Sequence, residues 1–238
     1  MNRLVKLQVR NIFHNKLFYV CLGINVLLTV GFSFIAQFLS KDATGTQMMP
    51  GIITILADGV GLIGMVFITL FTTFDFSEGT TKNIIARGYT KVELLFSKYI
   101  ASLIGIFTME IILVVLGAIL YAKNGVGFES YMTMAIVVHL IGIVAYTFFY
   151  VTTSFILEKT ASAIIVNMFV PNLIMLGLGI ADSNLKVHMS KYWIDSVAST
   201  FKENPTAGNM AFPVIMYLVY IAIFIILGIY FARNKDVK

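Results

Sequence analysis

The sequence predicts an all-α fold, a polytopic membrane helical bundle of six spans, and three observations carry that expectation. Of the 238 residues, 58% are hydrophobic and 12% are charged, well below the roughly 25% charged content of an ordinary soluble domain. The apolar runs are continuous rather than alternating, so helices, which satisfy their backbone groups within one segment, are the expected spanning elements and a barrel is not. Lys and Arg gather on alternate connections, the pattern that orients membrane proteins.

At the amino end, residues 1–16 set Arg3, Lys6, Arg10 and His14 at helical spacing beside Val5, Val9, Ile12 and Phe13. That pattern suits a short helix lying in the membrane interface. A hydrocarbon core of roughly 30 Å takes about 20 apolar residues to cross, and six runs reach that length: 17–39, 51–74, 99–122, 132–156, 161–181 and 212–232. The first is too long for a cleaved signal and no small-residue cleavage site follows it, so it is expected to stay as a span. The single Cys21 lies within it, which excludes an intramolecular disulfide and reads as a small packing residue. Pro171-Asn172 is expected to kink the fifth span. The connection 182–211 carries Tyr192 and Trp193 as interface anchors, with Pro205 and Pro213 as breaks. Residues 1–238 form a single transmembrane domain on this reading.

With the amino end inside, twelve of the seventeen basic residues fall on inner segments, and only Lys41, Lys123, Lys186, Lys191 and Lys202 fall outside. Both termini are therefore expected in the cytoplasm, the chain being multi-pass in the cell membrane. The isoelectric point near 9.2 follows from topology and from attraction to anionic inner-leaflet lipid, so no nucleic-acid partner is expected.

Residues 75–98 form a polar island between two apolar runs. Within it Thr90-Lys91-Val92-Glu93 has the spacing of a capping box, so a helix is expected to start near Lys91. A helix from there to Ala122 has 32 residues and a length of roughly 48 Å, longer than the membrane is thick, so its first turns are expected to stand in the cytoplasm. Upstream, Glu78 and Lys82 are spaced for an i to i+4 pair if that stretch is helical, and Lys82 to Arg87 is expected to form a short turn ended by Gly88.

Few residues offer chemistry. Gly59-Val60-Gly61-Leu62-Ile63-Gly64 matches GxGxxG, but it lies within an apolar span rather than after a strand, and Ala57 and Gly61 at small-xxx-small spacing point to close helix packing. No GxxxxGK[ST] run occurs, so the chain is not expected to grip nucleotide phosphates itself. Asp58, Glu110 and His139 are ionisable groups inside apolar spans. Either they line a translocation or proton route, or they pair with one another or with Asn25, Asn167 and Asn172 as buried structural glue. His139 has no second His in any span and no Glu-Glu pair accompanies it, so neither a metal site nor an enzyme is expected.

The run Glu78-Gly79-Thr80-Thr81-Lys82, then Ile84-Ile85, Arg87-Gly88-Tyr89-Thr90-Lys91 and Ser97-Lys98 entering an apolar span, resembles the loop between the second and third spans of type-two ATP-binding-cassette export permeases. Length, six spans and an interfacial amino-terminal helix extend the resemblance to essentially the whole chain. It implies that 75–98 is a coupling loop whose short helix sits in a groove on a separate ATPase, and that 182–211 folds into short outer helices closing the exit path. It also implies two ATPase copies that carry the ATP and magnesium, no cofactor in this chain, and a second permease subunit, identical or related. The substrate it implies is a hydrophobic or amphipathic peptide, as in lantibiotic or bacitracin self-protection. Where the family commonly has Ser-Arg, this chain has Thr90-Lys91, without the bidentate hydrogen bonding of a guanidinium. The alternative from the residues alone is an ion-coupled carrier using Asp58, Glu110 and His139; a membrane scaffold that transports nothing is a third.

Overall fold

The computed structural model describes residues 2–39, 48–122, 130–199, 201 and 206–234, with side chains omitted over 32–39, 48–60, 120–122, 130–132 and at 207. Among the described residues the chain forms eight α-helices and no strand. They are α1 (Asn2–His14), α2 (Lys16–Leu39), α3 (Met48–Ser77), α4 (Thr80–Ala86), α5 (Lys91–Ala122), α6 (Ser130–Leu157), α7 (Thr160–Leu185) and α8 (Ala207–Asn234), with a 3-10 turn at Ser190–Tyr192. Four of them (α5, α6, α7 and α8) are long and apolar enough to cross a membrane. Six crossings result if each of two bent pairs counts as one span: α1 with α2, bent by 57°, and α3 with α4, bent by 67°. Leu27, Leu176 and Ile226 are among many large apolar side chains left exposed, the surface expected where lipid rather than water is the solvent.

The core has two parts. One gathers Leu4 and Ile12 of α1, Phe18 of α2, Phe67 and Phe71 of α3, Leu94 and Tyr99 of α5, and Val151 and Phe155 of α6. The other joins Val138 and Ala145 of α6 and Tyr217 of α8 to Ile194, Val197 and Phe201 from the segment after the 3-10 turn. Thr73 of α3 meets Thr160 of α7 at 2.9 Å, which sets the α6–α7 junction at the same end of the bundle as α4. Residues 190–199 and Phe201 lie at the other end.

Polar side chains tie the helices together inside the bundle. Asn167 on α7 donates to Thr69 of α3 at 2.8 Å and to Ser154 of α6 at 3.1 Å, and accepts from Thr153 of α6. Tyr99 of α5 meets the Thr152 hydroxyl of α6 at 2.7 Å, and both hydroxyls reach the Phe224 carbonyl of α8. Gly228 makes that junction possible, because a Cβ there would lie 2.5 Å from the Tyr99 hydroxyl and 2.9 Å from Leu95.

Two sequence expectations need correction. Pro213 does not break the chain but lies inside α8, which already begins at Ala207. The GxGxxG run is not a uniform close-packing face: Gly61 faces open space, and of the described pair only Gly64 is closely packed, since a Cβ there would lie 3.0 Å from Ile106 of α5. Ala57 and Gly59 lie outside the described side chains, as does Pro205.

Gly228→Ala is expected to lower stability by about 1–3 kcal/mol through overpacking, seen as a lower thermal midpoint in detergent. Adding Tyr99→Phe, which removes the obstructing oxygen, is expected to recover part of the loss.

Candidate functional site

The site is built where α3 runs out. After Ser77 the chain turns through Gly79 at φ 66 and enters α4, a left-handed conformation that glycine adopts without steric cost. α4 ends in a Schellman motif: Gly88, at φ 88, donates to the Ile85 carbonyl at 2.9 Å, and Tyr89 donates to the Ile84 carbonyl at 3.4 Å. Two residues on, the capping box starts α5. The Thr90 amide donates to the Glu93 carboxylate at 2.9 Å and the Glu93 amide donates to the Thr90 hydroxyl at 3.1 Å. Local sequence thus sets a helix, a break and a second helix.

What fixes α4 against the bundle is a buried charge pair. Asp75, in the last turn of α3, accepts from Lys98 of α5 at 2.7 Å, with side-chain exposures of 7% and 1%. The same carboxylate accepts from Gln8 of α1 at 2.9 Å and from Thr80, the first residue of α4, at 2.9 Å. The Asp75 backbone carbonyl takes the Thr81 hydroxyl at 2.9 Å. Lys98 donates to the Phe71 carbonyl at 2.9 Å and lies 4.0 Å from the centre of the Phe71 ring. Four helices, α1, α3, α4 and α5, meet on one carboxylate. Desolvation makes such a pair costly to assemble and more costly to break, because a lone partner stays buried without compensation.

The anchor also sorts the faces of α4. Thr81 and Ile84 are buried, Ile85 is half-buried, and Lys82, Asn83, Ala86 and Arg87 are exposed. Gly88 and Thr90 are exposed beside them, and Lys91 is half-buried. The sequence-predicted residues Thr80, Lys82, Ile84, Ile85, Arg87, Gly88, Thr90 and Lys91 therefore share one small promontory, of which Thr80 and Ile84 form the inner side. The Glu78–Lys82 pair does not form: the chain turns at Gly79, so the two residues do not share a helix. Asp75, Lys98 and Gln8 were missed as site residues. The available signal was an acid and a base at opposite ends of one polar connection, each entering an apolar run.

The intramembrane candidates are not all brought together. His139 of α6 lies 2.7 Å from the Glu110 carboxylate of α5, and the second Glu110 oxygen is buried without a partner among the described residues. Asn167 belongs to the α3–α6–α7 tie. Asn172 is exposed on α7 and donates to the Met168 carbonyl at 2.7 Å. The Asp58 side chain lies outside the described residues.

Fold and composition define an all-α bundle with four to six helices fit to cross a membrane. Comparison with known proteins adds no family: no family model, no curated protein and no solved structure matches the chain.

Lys98→Met is expected to cost about 3–5 kcal/mol, since it leaves Asp75 buried and uncompensated. The double variant Asp75→Asn with Lys98→Met is expected to recover most of that loss in a thermal-unfolding cycle.

Proposed function

We propose that the chain is the membrane-spanning permease subunit of an ATP-driven exporter, with α4 as the coupling helix that a separate ATPase grips. The observation that carries this reading is the Asp75 anchor. A coupling element needs no reactive group; it needs a fixed shape and a stiff connection to the spans, and Asp75 ties α4 to α3, α5 and α1 at once. The exposed face of α4 offers Lys82, Asn83 and Arg87, polar groups suited to a partner cleft.

In this reading the chain crosses the cell membrane six times with both termini in the cytoplasm. Charge supports that orientation, because Arg3, Lys6, Arg10, Lys82, Arg87 and Lys159 lie at or beside the α4 end. Two permeases, identical or related, work with two ATPases that hold ATP and magnesium, and the cargo is a hydrophobic or amphipathic peptide. The packing of Ile194, Val197 and Phe201 onto α6 and α8 is the arrangement expected of an outer segment that caps an exit path.

A second reading, an ion-coupled carrier, has the Glu110–His139 contact in its favour, since ionisable groups inside a membrane mark ion routes. Its hallmark is transport driven by a proton or sodium gradient without ATP.

The double variant Lys82→Glu, Arg87→Glu is expected to reach the membrane at normal abundance but to retain roughly a tenth or less of a co-purifying ATP-hydrolysing protein, a loss of at least about 1.4 kcal/mol in binding. Undiminished recovery of that partner contradicts the proposal, and gradient-driven transport in its absence favours the carrier.

A further inference from the structure

The end of the bundle opposite α4 holds a cluster that the coupling argument does not use. Asp195 is exposed, and its carboxylate accepts from the Tyr146 hydroxyl of α6 and from the Trp193 indole at 3.0 Å. The same indole nitrogen also reaches the Pro171 carbonyl of α7 at 3.2 Å. Around this carboxylate the rings continue. Tyr150 stacks on Tyr146 with centroids 5.8 Å apart, Tyr220 of α8 meets Trp193 edge-on at 6.3 Å, and Tyr217 packs in one apolar cluster with the neighbouring Ile194 and Val197.

No Lys, Arg or His among the described residues forms an ion pair with Asp195. The neighbouring Lys191 instead lies 5.0 Å from the centre of the Tyr192 ring. A carboxylate without a counter-ion, set among four tyrosines and a tryptophan, is matched to one class of ligand. A hard divalent cation wants six or more oxygen ligands, and no group of three metal-binding side chains exists among the described residues. A weakly hydrated ammonium is stabilised both by the carboxylate and by the electron-rich faces of aromatic rings.

We propose that the Asp195 cluster binds an organic ammonium ion, its charge on the Asp195 carboxylate and its alkyl groups against Trp193, Tyr220 and Tyr146. The site is independent of how the chain is powered. The Tyr146 and Trp193 hydrogen bonds hold residues 193–195 on the bundle and aim the carboxylate, leaving Asp195 exposed.

Trp193 is the single tryptophan of the chain, so its fluorescence reads this site directly. The full chain in neutral detergent is titrated with choline and with 3,3-dimethylbutanol, the uncharged molecule of the same shape. The expected result is a saturable change in emission with choline and a response at least about tenfold weaker with the alcohol. Asp195→Asn, with an unchanged starting emission maximum, is expected to weaken choline binding by at least about tenfold. Tyr146→Phe keeps the charge and the ring but loses the hydrogen bond that aims the carboxylate, and is expected to weaken choline binding clearly less than Asp195→Asn does. A wild-type chain without a saturable response, equal responses to choline and the alcohol, or Asp195→Asn titrating like wild type would each overturn the proposal. Loss of binding in Tyr146→Phe as complete as in Asp195→Asn would reduce the cluster to a structural pin.

Discussion

One carboxylate organises the end of the bundle where the chain leaves its apolar spans. Asp75 and Lys98 are both buried, and neither tolerates burial alone. Their pairing fixes the distance between the last turn of α3 and the early turns of α5, and everything between them must fit that gap. Gly79 and Gly88 supply the two backbone conformations the fit requires, Thr80 and Thr81 bond the start of α4 to Asp75, and Gln8 brings α1 to the same point. The short α4, which alone is too brief to be stable in water, is held by tertiary contacts rather than by its own propensity.

The same principle, a few polar ties in an apolar medium, recurs deeper in the bundle. Apolar packing gives helices little reason to prefer one another over lipid, so hydrogen bonds and close approaches at small residues choose the neighbours. Asn167 joins α3, α6 and α7, the Tyr99–Thr152 pair joins α5, α6 and α8 at the Phe224 carbonyl, and at Gly105 a Cβ would lie 3.0 Å from the Phe67 ring, so only glycine fits there unshifted. The polar contacts of α4 therefore run without a gap through Asp75 to Lys98 of α5, to the adjacent Tyr99, and from there to α6 and α8.

Much of the secondary structure was legible because its signals are local. The Thr90–Glu93 spacing marked the start of α5, Gly88 marked the end of α4, and unbroken apolar runs marked the long helices. What the sequence withheld depends on pairing across the fold. Asp75 and Lys98 read as ordinary edge charges until two helices bring them together, and Gln8 reads as one polar residue in a basic amphipathic stretch. The Glu78–Lys82 pair depended on one helix running through both residues, a condition that fails for the converse reason: Gly79 between them adopts a positive φ. Pro213 shows the limit of composition as a guide, since a proline near a helix start need not end it.

The central claim is that α4 is rigid because Asp75 is paired. Amide hydrogen exchange across residues 83–89 tests it most directly, because the amides of Arg87, Gly88 and Tyr89 donate to carbonyls at the end of α4. The account expects measurable protection there in the native chain and its collapse in Asp75→Ala, with α6 and α7 unaffected. Exchange across residues 83–89 that is equally fast in both chains, or equally slow in both, contradicts it.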